Sequence, residues 1–143
     1  MRSVKDSDGN LLAIVVESWD RSKAGVKFFT SDDHTQQVAS IAHPAGKIIA
    51  PHFHNEQPRM VTQTREVLIV RKGRMVVTFF DATNRQVDQC FSGEGDILIL
   101  ISGGHSFEVV EDIEMIEVKQ GPYLGVLDKT YFTPDRLDNG GSS

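Results

Sequence analysis

The chain has 143 residues, 39% hydrophobic and 24% charged, with a formal net charge of -5 spread along its length; this is the size and balance of one globular domain and argues against a nucleic-acid partner. The single cysteine, Cys90, excludes an intramolecular disulfide framework and fits a reducing compartment. The N-terminus MRSVKDSDGN lacks a signal-peptide core, and the apolar runs Leu11 to Val16 and Ile97 to Ile101 are too short to span a bilayer, so a cytoplasmic protein without membrane contact is expected.

Helical periodicity is hard to find. Instead, short β-branched and aromatic runs broken by Gly, Asn and Asp recur along the chain. In order, LLAIVVES (11–18), QQVASIAH (36–43), KIIAPHFH (47–54), REVLIVR (65–71), RMVVTFFD (74–81), RQVDQCFS (85–92), DILILIS (96–102), HSFEVV (105–110) and IEMIEVK (113–119) each read as a strand. Turn chemistry separates them at HPAG (43–46), RKGR (71–74), DATN (81–84), SGEG (92–95), SGG (102–104) and EDI (111–113). Short strands at this spacing predict an all-β sandwich or barrel. The runs EVLIV and DILILI are apolar on both faces. One sheet face is therefore expected to pack on the N-terminal strands or on a second subunit, and a homodimer is expected.

One stretch breaks the rhythm. Residues 55–65, NEQPRMVTQTR, are too long for a hairpin turn and read as a surface loop. After Lys119 the pattern fades into a C-terminal arm, whose aromatics Tyr123, Tyr131 and Phe132 suggest packing on the body, while NGGSS reads as frayed.

The chemistry-bearing residues sit at the edges of these runs. In a strand, His52 and His54 point to one face and Phe53 to the other, a spacing that suits two imidazole ligands to one metal. A pair of surface histidines on a solvent-facing strand explains the same spacing equally well. Glu66 heads the apolar strand EVLIV, where an acid is out of place unless it is a ligand or an ion-pair partner, and His105 follows a glycine-rich turn. His34 lies in a polar turn, His43 ends a strand before Pro44, and Cys90 beside Phe91 reads as packing.

Residues 46–54, GKIIAPHFH, match the G-x5-H-x-H opening of the cupin first motif, and 66–73, EVLIVRKG, match its E-x6-G close. Residues 95–109, GDILILISGGHSFEV, look like the second motif, G-x5-P-x-G-x2-H-x3-N. Over about residues 36–119 the chain thus resembles the small single-domain bacterial cupins, some of them associated with surface-sugar metabolism. The resemblance implies a double-stranded β-helix, or jelly-roll barrel, in a single domain spanning 1–143. Strands in 11–30 and an arm at 120–138 would pack on the barrel, with 139–143 flexible. It also implies the metal ligands His52, His54, Glu66 and His105, holding one divalent first-row transition ion, Zn, Ni, Fe, Mn or Co.

The chain departs from the family pattern in its long 55–65 loop, in Ile101 at the proline position, in a histidine one residue early and in Val109 at the asparagine position. The pair Gly103 and Gly104 permits backbone angles that would still turn His105 inward. Arg59 and Gln63 in the loop, and Lys119 and Tyr123 after the last strand, are the candidate substrate-binding residues. Three functions follow. The first is a metalloenzyme, isomerase or dioxygenase in type, acting on a sugar derivative or carboxylate. The second is a binding or sensor domain with a structural metal. The third, ranked last, is a metal-free epimerase, which would need a His and Tyr acid–base pair; Tyr123 and Tyr131 are the only tyrosines.

Overall fold

A computed structural model describes residues 1–135. The end of the arm and the expected flexible tail at 139–143 lie outside the described residues.

The chain is all-β, with strands β1 (Arg2–Lys5), β2 (Leu11–Val16), β3 (Gly25–Phe28), β4 (Ala39–Ala42), β5 (Glu66–Phe80), β6 (Gln86–Gly93), β7 (Ile97–Leu100) and β8 (Gly104–Lys119) and two short 3-10 turns. One antiparallel sheet has the order β1-β2-β7-β5-β6, with β8 on the other side of β5, and β3 pairs β4 in a separate ribbon. The outermost strands of that order, β1 and β6, are joined by the Arg2–Asp88 ion pair at 2.7 Å and not by a backbone ladder. No helix among the described residues is long and apolar enough to cross a membrane.

The doubly apolar runs are buried on both faces. Leu12, Val15, Leu68, Val70, Leu98 and Leu100 point into one cluster with Met75, Val77 and Phe79. Their neighbours Ile14, Val16, Val67, Ile99 and Ile101 point the other way, onto Phe29 and Val38. The N-terminal half of the chain therefore covers the second face, one of the two covers expected from the pattern. Each fully buried Leu, Ile, Val or Phe contributes about 1.5–3 kcal/mol relative to exposure.

Three details correct the reading from sequence. The stretch 47–54 is in no strand, and residues 43–64 are exposed throughout, with Phe53 98% exposed. Within one chain this stretch pairs with no described strand, so its β-branched composition has no ladder to act on. The turns expected at 71–74 and 111–113 are instead irregularities within two long strands. β5 and β8 remain paired from Glu66↔Lys119 to Phe80↔Gly104, with register shifts between Val70 and Met75. Gly73 makes this possible: its φ is +81°, and a Cβ there would lie 2.0 Å from the Asp112 carbonyl oxygen. Finally, RSVK at 2–5, passed over in the pattern, forms β1 on β2.

Candidate functional site

Glu66 and His105 lie far apart in the β5–β8 ladder, Glu66 opposite Lys119 and His105 opposite Phe79. The bend in the two strands nevertheless brings them together, with His105 Nε2 3.4 Å from Glu66 Oε2. Glu66 is buried at 8% exposure. The His105 imidazole holds its carboxyl below the usual carboxylate range, outweighing burial, which pushes the other way; Lys129 and Lys119 add to the lowering. An acid at the head of an apolar strand is thus explained by a specific partner.

The pair borders a cavity of about 830 Å³. Its floor is Leu100, Ile101 and Phe80, and its far wall is the C-terminal arm, with Lys129, Tyr131 and Phe132. Phe132 anchors the arm by an edge-to-face contact with Phe80, ring centroids 5.3 Å apart. Two of the acids on the wall are committed elsewhere. Asp81 accepts from the Thr83 and Arg85 backbone N–H groups in the 81–85 turn, and Asp128 pairs with Lys119 at 2.9 Å. Lys129 makes no ion pair among the described residues, so the cavity presents a free cation together with the Glu66–His105 pair and Tyr131.

The other expected site residues lie elsewhere. His52 and His54 pack ring against ring, centroids 5.3 Å apart, on the exposed segment, where His52 Nδ1 contacts the Ala50 carbonyl at 2.8 Å. Among the described residues, no three His, Cys, Asp or Glu side chains are grouped to hold a metal ion. The implied four-ligand set is therefore present here as two separate pairs, His52 with His54 and Glu66 with His105. Arg59 and Gln63 are exposed on the same segment. Lys119 lies against Tyr123, 5.2 Å from its ring centroid, and the Lys119–Asp128 pair backs the arm beside the cavity. None of these four lines it. His43 is exposed, and His34 Nδ1 lies 3.4 Å from the Arg65 guanidinium. Cys90 borders the first apolar cluster, where burial raises its thiol pKa, in keeping with a packing role.

Comparison with protein-family models, with curated proteins and with solved structures finds no match to this chain. The functional reading therefore rests on the geometry of the cavity and on the motif resemblance.

Residues that pattern alone missed are Lys129 and the wall position of Tyr131. The available signal was the run KTYF at 129–132, a cation and two aromatics in an otherwise fading tail. A carboxylate that orients an imidazole through one nitrogen leaves the other free to take or give a proton. This pair can therefore act as an acid–base centre on a molecule held in the cavity.

Proposed function

We propose that this chain is a cupin-type barrel that binds and transforms an oxygen-rich, negatively charged small molecule, a sugar derivative or a carboxylate. The observation that supports this reading is the pairing of buried Glu66 with half-buried His105 on the wall of a cavity of about 830 Å³. A cavity with a mainly apolar floor and a few convergent polar groups is the usual form of a small-molecule site. Lys129 suits an acidic group on the ligand, and His105 is the base held by Glu66. Tyr131 borders the same cavity from its solvent side, 92% exposed, and is the tyrosine that the metal-free acid–base reading would use.

A thermal-shift screen of sugar phosphates, nucleotide sugars and small carboxylates tests this reading. A ligand at 100 times its Kd should stabilise the protein by about 2.7 kcal/mol. Glu66→Gln should weaken binding about tenfold or more, the scale of a hydrogen bond to a charged group. Lys129→Gln should weaken acidic ligands while sparing neutral ones. No stabilisation by any member of the panel would count against the reading. Turnover by wild type, lost in His105→Gln, separates an enzyme from a binding domain.

A second reading has His52, His54, Glu66 and His105 sharing one divalent first-row ion. It is favoured by the paired imidazoles of His52 and His54, carried on the segment that leads directly into Glu66. It requires that segment to move onto the Glu66–His105 pair. Protein purified without a histidine tag should then contain about one such ion per chain by elemental analysis. Undiminished metal in a His52→Ala, His54→Ala double variant would rule out this ligand set.

A further inference from the structure

β8, the longest strand, uses only one of its edges. Gly104–Lys119 pairs with β5 along its length and with no other strand among the described residues. The opposite edge presents unpaired N–H and C=O groups, a template for another strand. Along it Val109, Val110, Ile116 and Val118 are exposed. β8 also carries the acids Glu108, Glu111, Asp112, Glu114 and Glu117. Two such edges would set acid against acid, which disfavours pairing of β8 with its own copy.

A complementary surface lies on the same chain. Residues 43–64 are exposed throughout, and Ile48, Ile49, Phe53 and Met60 are among the most exposed large apolar residues. Within this segment 47–54, KIIAPHFH, has strand composition but belongs to no strand. Its charges are opposite in balance to those of β8: Lys47 and Arg59 against one acid, Glu56. Pro51, which has no N–H to donate, is tolerated in a strand added at an edge.

We propose that the free edge of β8 receives residues 47–54 of a second copy of this chain, and that reciprocal exchange makes a two-fold dimer. A single chain leaves both surfaces in water. Two chains cover both twice, through one kind of contact that closes on itself. The apolar residues supply the driving force and the charges select the segment over a second β8.

Charge exchange tests the proposal directly. Lys47→Glu with Arg59→Glu makes the segment acidic, and Glu108→Lys with Glu111→Lys makes the edge basic. Sedimentation should show a wild-type dimer, and each variant alone should dimerise at least about tenfold more weakly, because like charges now face each other. Mixing the two variants should restore a one-to-one dimer, since both of its contacts again join opposite charges. Circular dichroism of each variant before mixing checks its fold. A monomeric wild type, or variants that are not rescued by mixing, overturns the proposal. Hydrogen exchange on wild type gives an independent readout: protection of β8 amides should rise with protein concentration. Protection that is independent of concentration would mean that the chain's own segment closes on the edge, which also overturns the exchange.

Discussion

Phe79→Ala should destabilise the protein by about 3–5 kcal/mol, the cost of removing a large aromatic from a core that cannot fully collapse. Phe79 is 1% exposed and heads the largest fully buried side chains. It sits on the inner face of β5 with Met75 and Val77, against strands from both ends of the chain. Small domains are stable by only about 5–15 kcal/mol, so a loss of this size removes a large part of the total. The effect should reach the site as well, because Phe79 is the cross-strand partner of His105. Urea unfolding monitored by circular dichroism measures it. Phe91→Ala is the control: Phe91 is 57% exposed and lies under the Arg74 guanidinium at 4.2 Å, so its loss should cost about 1 kcal/mol or less. Comparable losses at the two positions would contradict the placement of the core.

Gly103→Ala should cost about 2–5 kcal/mol, combining left-handed strain with overpacking, and should also uncouple the candidate site. Gly103 has a φ of +70°, and a Cβ there would lie 2.4 Å from the Phe80 carbonyl oxygen and 3.0 Å from Leu12 Cδ2. A backbone oxygen cannot step aside as a flexible side chain does. The turn from β7 into β8 must therefore shift, and with it His105, two residues on. Its neighbour Gly104 serves a different need, since a Cβ would lie 2.6 Å from the Phe132 ring that anchors the arm. Denaturation gives the stability loss, and ligand binding at fixed temperature below the transition gives the loss at the site. A variant that keeps both wild-type stability and wild-type binding would show that the turn does not set the position of His105.

Much of this architecture is legible in the chain. LLAIVV, DILILI and EVLIV announce strands buried on both faces, and DATN supplies the Asp81 turn with Asn84 at a φ of +67°. The expectation that a glycine pair turns the chain at 103–104 rests on the same local chemistry, and Gly103 does adopt a positive φ. Glu66 was conspicuous as an acid among apolar residues, and its partner is His105. His52 and His54 illustrate the opposite case. Their spacing puts both on one face only if a strand forms, and a strand forms only where a neighbour offers a ladder.

The sequence by itself determined the all-β class, the two-sided burial of the central strands and the residues out of place enough to carry chemistry. These follow from period-two patterning and turn residues, which are local properties of the chain. Tertiary structure decided that 66–80 and 104–119 are single bent strands, that the bend joins Glu66 to His105, and that the arm brings Lys129 and Tyr131 over the cavity. Such outcomes depend on pairing between residues distant in sequence and on one glycine fitted against another strand's carbonyl at Asp112. No local pattern encodes which strands meet, because the free energy of a ladder belongs to the pair and not to either strand alone.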